Sequence, residues 1–231
     1  LRPGVSVQCH LIDSAIALGA GVSVDLKSPD GDGWKVLLGG LHAGVCLLAP
    51  LLIAVIASRV TEIERAGNGW LLFAASGTTP GQLCRAKFLA LGVPLAAVCV
   101  LWGLCVPMWG ALLGVPAPVP TGRIVAYTAS VCVISLVILA LQLLISLASD
   151  NQLLAVGAGM LGVLLSMIGA MAPTWAQYLT PWTYYSLVAP MTFTGSDPVY
   201  LDAPFPGALV LAIAGAVAFT IITTRLDRKE V

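Results

Sequence analysis

Five long stretches of this chain contain no Asp, Glu, Lys or Arg. A transmembrane helix needs about 20 predominantly apolar residues to cross the hydrocarbon core of a bilayer. Of the 231 residues, 58% are apolar and 10% are charged, whereas soluble domains are about 45–50% apolar and about 25% charged. Lipid is therefore the predicted solvent for most of the chain. The predicted spans are residues 36–57, 88–113, 124–147, 153–171 and 206–223.

A sixth and weaker apolar segment precedes these five, at residues 5–24, and it carries His10 and Asp13. The pattern of a secretory signal peptide is not visible around it, so we interpret it as a span or the remnant of one. The predicted fold class is an all-α integral membrane protein. Six transmembrane helices would form a single domain over residues 1–231.

The placement of Lys and Arg predicts the orientation of these helices, because cytoplasmic loops carry the excess of basic residues. One side would hold eight basic residues: Arg2, Arg59, Arg65, Arg85, Lys87, Arg225, Arg228 and Lys229. The other side would hold three: Lys27, Lys35 and Arg123. We therefore expect both termini in the cytoplasm.

Composition and missing motifs exclude several functions. The net charge is zero, so there is no electrostatic footprint for nucleic acid. A G-x-x-x-x-G-K-[ST] phosphate-binding loop is absent, and two histidines without H-E-x-x-H do not build a usual zinc site. The six cysteines show no C-x-x-C pairing and are interpreted as small hydrophobic residues. We predict no catalytic residue, metal or cofactor in this chain.

The polar segment between the second and third predicted spans, residues 58–87, is the most informative part of the chain. Its first part continues the second helix out of the membrane. Thr79 and Pro80 are typical of a helix start, and that helix would run through Arg85 and Lys87 into the third span. The segment is either an interfacial coupling element or an ordinary cytoplasmic loop with Trp70 as its anchor.

These residues also carry a resemblance to a family. An acidic pair precedes Ala-Gly-Asn and an aromatic residue, a Thr-Pro turn follows, and a basic residue opens the next span. This order resembles the permease subunits of type-2 ABC exporters, and the lantibiotic-immunity permeases in particular. Residues 141–146 (LQLLIS) and 180–182 (TPW) are similar to that branch as well.

The resemblance implies a permease of a bacterial inner membrane that exports an amphipathic or lipophilic substrate such as a peptide antibiotic. Its partners would be two copies of a cytoplasmic ATPase, which bind ATP and Mg²⁺, and a second permease, identical or homologous. The segment at residues 58–87 would contact the ATPase. Two glutamates stand where the family has one acid, so either could carry that role. The implied coupling residues are Glu62, Glu64, Gly67, Trp70, Thr79, Pro80, Arg85 and Lys87.

An aromatic section at residues 172–205 precedes the last span. It is interpreted either as a belt at the membrane boundary or, following the resemblance, as an extracellular interfacial or re-entrant section that touches the substrate. Gln142 is a polar companion inside the fourth span. The candidate residues for a substrate path or outer interface are Trp175, Tyr178, Trp182, Tyr184, Tyr185 and Gln142.

Two alternatives stand beside the exporter. A proton-coupled carrier would use His10 and Asp13, which share a helix face at a spacing of three, and a membrane scaffold or sensor subunit would transport nothing.

His42 would contact a loop or a neighbouring helix. Residues 157–162 (GAGMLG) match G-x-G-x-x-G but lie inside a predicted span, so we interpret them as a helix-packing face.

Overall fold

The computed structural model describes residues 32–67, 77–149, 151–194, 197–201 and 205–228. This part of the chain is mostly helical. The long helices are α1 (Asp32–Ala66), α2 (Pro80–Leu113), α3 (Thr121–Ala148) and α4 (Gln152–Ile168). A 3₁₀ turn (Gly169–Met171) and two short helices follow, α5 (Thr174–Gln177) and α6 (Tyr184–Leu187). Two strands, β1 (Met191–Thr194) and β2 (Asp197–Tyr200), lead to the last helix, α7 (Phe205–Arg228).

Four of these helices, α1, α2, α3 and α7, are long and apolar enough to cross a membrane, among the residues that the structure describes. Helix α1 has 35 residues, which at 1.5 Å per residue is about 50 Å, and the hydrocarbon core is about 30 Å thick. Helix α1 is therefore longer than a membrane span requires. Helix α4 lies at the predicted fifth span but is shorter, with 17 residues. The predicted first span, with His10 and Asp13, lies outside the described residues.

The helix ends follow local chemistry. Thr79 caps α2, and the left-handed Gly114 (φ 74°) ends it, a conformation that glycine adopts without steric cost. Asn151 caps α4 by accepting from the Leu153 amide at 2.9 Å. A proline-rich turn separates α2 from α3 over residues 115–120.

Helix α3 lies at the centre of the fold and packs against α1, α2, α4 and α7. Half of the residues in its most apolar stretch are buried, whereas the corresponding fraction is 17–28% in α1, α2 and α7. Large apolar side chains of those outer helices are exposed, including Val93, Leu104 and Ile213. Exposed apolar side chains in this number are typical of helices that are embedded in a membrane.

Small residues let the helices approach closely. Gly159 of α4 lies against Pro50 and Ala54 of α1, and Gly162 of α4 lies under the ring of Trp182. A β-carbon at either glycine would overlap its neighbour. The predicted packing face at residues 157–162 is thus confirmed for Gly159 and Gly162, whereas Gly157 faces open space.

Polar groups inside the helices bond to one another. The Tyr127 hydroxyl and His42 Nδ1 lie 2.9 Å apart, which joins α3 to α1. The Ser135 and Tyr185 hydroxyls also lie 2.9 Å apart, in a buried setting. His42 therefore contacts a neighbouring helix, one of the two options predicted. The described cysteines are free thiols.

One element differs from the helical expectation. Strands β1 and β2 pair antiparallel, with Met191 opposite Tyr200 and Thr194 opposite Asp197. This hairpin lies in the aromatic section at residues 172–205, and it packs against the first turns of α1. β-Branched and aromatic residues favour such strands, but two four-residue strands are too short to stand out in an apolar sequence.

Candidate functional site

The predicted coupling residues that the structure describes lie at one end of the helices, where α1 and α7 end and α2 begins. We call it the basic end. The opposite end, where α1 begins and the hairpin lies, is called the hairpin end. Among the described residues, the cations of the basic end are Arg59, Arg65, Arg85, Lys87, Arg225 and Arg228, and those of the hairpin end are Lys35 and Arg123.

The start of α2 is fixed by its own sequence. The Thr79 hydroxyl accepts from the Gln82 amide at 3.4 Å, and the Gln82 side chain accepts from the Thr79 amide at 3.2 Å. This reciprocal capping box satisfies two donors at the helix N-terminus, and Pro80 at the first helical position has no N–H to satisfy. The predicted helix start at Thr79 and Pro80 is confirmed, and α2 runs through Arg85 and Lys87 as expected.

Glu64 and Lys87 form an ion pair between α1 and α2, with Oε2 and Nζ 2.6 Å apart. The Lys87 side chain is only 5% exposed and that of Glu64 is 24% exposed. A buried ammonium is costly without a close anion, so this pair fixes the distance between the end of α1 and the start of α2.

Glu62 has a different environment. It pairs with Arg59 on its own helix, at 3.3 Å, and the side chains are 44% and 66% exposed. Exposed pairs of this type contribute about 0–1 kcal/mol. The structure therefore separates the two glutamates: Glu64 joins two helices, whereas Glu62 is accessible to a partner.

Gly67 ends α1, and its amide donates to the Ile63 carbonyl at 3.1 Å. It is exposed beside the end of the helix. The predicted coupling residue Trp70 lies outside the described residues.

Asp227 was not singled out from the sequence, yet it contacts two of the predicted residues. One carboxylate oxygen accepts from the Thr79 hydroxyl, and the other lies 2.8 Å from Nη2 of Arg85. The available sequence signal was weak: an acid between Arg225 and Arg228 in a basic tail. Such an acid reads as ordinary charge alternation on a solvated surface.

A lateral groove runs between α1 and α2, with α3 as its floor, and has a volume of about 620 Å³. Its walls are almost entirely apolar, with hydroxyl groups contributed by Thr128 and Ser135 of the floor. Residues that represent its three sides are Val45, Leu48, Leu95, Trp102 and Val131. A concave apolar site with few polar groups is the usual form of a binding site for a lipophilic molecule.

The aromatic candidates at the hairpin end divide into two sets. Trp175 is 70% exposed and Tyr178 is also exposed, as expected for rings at a membrane boundary. Trp182, Tyr184 and Tyr185 are buried, and Trp182 packs on α4 while Tyr185 bonds to α3. The buried rings therefore have packing contacts, and the exposed pair supplies the accessible aromatic surface.

Gln142 is fully buried between α3 and α4. Its terminal amide faces Ala155 and Gly159 of α4. With the amide oxygen and nitrogen interchanged, the nitrogen donates to the Ala155 carbonyl at 3.2 Å and the oxygen accepts from the Gly159 amide at 3.3 Å. It is not one of the residues that line the groove. Its contacts join two helices.

The hairpin end contains a small cluster in which two cations contact one aromatic ring. The guanidinium of Arg123 lies 4.4 Å from the centre of the Tyr200 ring, and the Lys35 ammonium lies 5.5 Å from it. Partial burial raises the pKa of Tyr200, while Lys35 and Arg123 act in the opposite direction. At the same end the buried Trp34 side chain donates a hydrogen bond from Nε1 to the Ala117 carbonyl at 2.9 Å.

Within the part of the chain that the structure describes, no three His, Cys, Asp or Glu side chains come close enough to hold a metal ion. The four long apolar helices, their lipid-exposed side chains and the charged groups at the two ends define the class of protein: this is a helical, membrane-embedded protein. No family model, curated protein or solved structure matches the chain.

Proposed function

We propose that this chain is the permease subunit of an ATP-driven exporter of the type-2 ABC kind, with six spans and both termini in the cytoplasm. One observation carries the proposal. The predicted coupling residues Glu64, Thr79, Arg85 and Lys87 take part in contacts that link the inner ends of α1, α2 and α7. A partner that pulls on this end would displace three helices together.

The distribution of charge supports an inward position for the basic end. Lys and Arg concentrate there among the described residues, and cytoplasmic sides carry that excess. The sequence has no phosphate-binding loop of its own. In the proposed complex a separate ATPase supplies the ATP and Mg²⁺ site, and two copies serve a pair of permeases.

In the proposed mechanism the ATPase contacts the exposed acid Glu62 and the end of α1 at Gly67. Closure of the ATPase dimer moves α1, and the buried Glu64–Lys87 pair passes this movement to α2. The two helices are the walls of the lateral groove. A change in their separation would open or close it.

The groove also supports the class of substrate. Its apolar walls suit the lipophilic part of an amphipathic molecule, such as a peptide antibiotic that enters from the lipid. Trp175 and Tyr178, exposed at the opposite end, would meet the polar part of that molecule as it leaves.

The proposal is tested by purifying the tagged chain from its native membrane in mild detergent. A P-loop ATPase should copurify at one copy per permease and hydrolyse ATP with sensitivity to vanadate. Glu62→Ala should then lower export per ATP hydrolysed about tenfold while the ATPase stays bound. The matched control is Asp197→Ala, an exposed acid at the hairpin end, which should leave export unchanged.

Other results would point to the alternative classes. Export that survives ATP depletion and stops when a protonophore collapses the proton gradient would indicate a proton-coupled carrier. Purification without any ATPase, together with unchanged drug sensitivity in cells lacking the chain, would indicate a scaffold or sensor subunit. Either outcome would reject the exporter.

A further inference from the structure

The C-terminal end of α7 is joined to the first two turns of α2. Gly81 of α2 lies directly against the Thr223 carbonyl and the Asp227 carboxylate, with no space for a β-carbon. Two turns further along α2, the Phe88 and Phe219 rings pack with their centroids 5.1 Å apart. Positions 81, 85 and 88 lie on one helix face, so a single face of α2 is seated on α7.

On another side of the same two turns, Lys87 pairs with Glu64 of α1. The start of α2 is therefore held between two carboxylates from different helices. In the pair with α1, the Lys87 side chain is 5% exposed and that of Glu64 is 24% exposed. In the pair with α7, the Arg85 side chain is 36% exposed and that of Asp227 is 22% exposed. The α7 contact is the one that water reaches more easily.

The hydrogen bonds of Thr79 connect Asp227 to the N-cap of α2. A threonine hydroxyl has one proton to donate and lone pairs to accept with. Donation of this proton to Asp227 fixes the rotation of the hydroxyl, so that a lone pair faces the Gln82 amide, and this acceptance is the N-cap of α2. The carboxylate also adds negative charge beside a helix N-terminus, where the helix dipole favours it.

We infer that Asp227 is a positioning residue that completes the N-cap of α2 from another helix and thereby makes α7 part of the coupling element. Its role in coupling rests on the proposed function. When the ATPase displaces the start of α2, α7 follows it because Thr79 and Arg85 remain bonded to Asp227. Transport then depends on the inner end of a helix that the family resemblance did not include.

The test has one readout that needs no ATPase. Hydrogen–deuterium exchange of the purified chain in lipid nanodiscs reports the amides of Gln82 and Leu83, which bond to the Thr79 side chain and carbonyl. Loss of an N-cap corresponds to about fivefold faster exchange of the first turn. Asp227→Ala should give this increase, and Asp227→Asn, which keeps an acceptor for Thr79, a smaller one. Arg225→Ala, an exposed change on the same helix end, is the control and should give none.

The second readout is export per ATP hydrolysed by the complex. Asp227→Ala should lower it severalfold with the ATPase still bound, and Asp227→Asn should recover part of the loss. Unchanged exchange in Asp227→Ala would overturn the cross-helix cap, and unchanged export per ATP would overturn the role in coupling. If the wild-type chain binds no ATPase, the proposed function fails, while the exchange result still decides the cap.

Discussion

Replacing Glu64 by alanine should destabilise this protein far more than replacing Glu62, although the two acids are two positions apart. Glu64→Ala leaves the Lys87 ammonium, 5% exposed, without the carboxylate that lies 2.6 Å away. At an effective dielectric constant of about 20, Coulomb's law gives about 6 kcal/mol for unit charges at this separation. This is an upper bound, since Glu64 is itself 24% exposed. Breaking a buried pair typically costs about 3–5 kcal/mol, so we expect a loss of about 3 kcal/mol.

Glu62→Ala is the matched control, because it removes the same side chain from the same helix. Its partner Arg59 is 66% exposed, and such pairs contribute at most about 1 kcal/mol. A third variant, Glu64→Leu with Lys87→Met, replaces both charges by apolar groups and should recover most of the lost stability.

The assay is unfolding of the purified chain in mixed detergent micelles with increasing SDS, followed by tryptophan fluorescence. Free energies of unfolding are compared at one SDS concentration within the transition region. A difference below about 0.5 kcal/mol between Glu64→Ala and Glu62→Ala would refute the buried pair. Failure of the double variant to recover stability would show that the loss comes from something other than the unpaired charge.

Four further substitutions test other contacts. Gly81→Ala should reduce the amount of folded protein in the membrane, measured by gel filtration, because the new methyl group would overlap the Thr223 carbonyl. At Gly157 a methyl group would enter open space, so Gly157→Ala should raise the free energy of unfolding by about 0.5–1 kcal/mol in the unfolding assay. Tyr185→Phe removes a buried hydroxyl and its 2.9 Å bond to α3, with an expected loss of about 1–2 kcal/mol in the same unfolding assay. Leu48→Trp narrows the groove and should lower export of a bulky substrate severalfold at unchanged ATP hydrolysis; unaltered export would separate the groove from the substrate path.

Local patterns were sufficient for the five long helices that the structure describes, α1 to α4 and α7, and for the start of α2. Thr79, Pro80 and Gln82 contain the whole capping box within four residues, so no distant contact is needed to predict it. Helix α1 continues to Ala66, past the end of its apolar stretch, because the charged residues after position 57 disfavour a lipid environment but not a helix.

Contacts between distant parts of the chain were not predictable in this way. Glu62 and Glu64 are about 200° apart around a helix, so they face different surroundings, but only the packing of α2 decides which one meets Lys87. Asp227 lies 142 positions from Arg85, and no local spacing relates the two.

The aromatic section shows the same division between local pattern and packing. Composition places Trp175 and Trp182 in the same belt, yet Trp182 packs against the backbone of Gly162 and Trp175 is exposed. The glycine on α4 determines this difference. It lies 20 positions away from Trp182 in the chain, so the aromatic residues alone do not reveal it.

The position of the basic end relative to the membrane is the point on which the exporter depends, and labelling of single cysteines measures it. In a chain whose native cysteines are replaced by alanine, Glu62→Cys and Asp197→Cys report the two ends. An impermeant maleimide added to intact cells should label Asp197→Cys only, and Glu62→Cys should react only in inverted vesicles. Labelling of Glu62→Cys from outside the cell would place the coupling residues away from any ATPase and contradict the account.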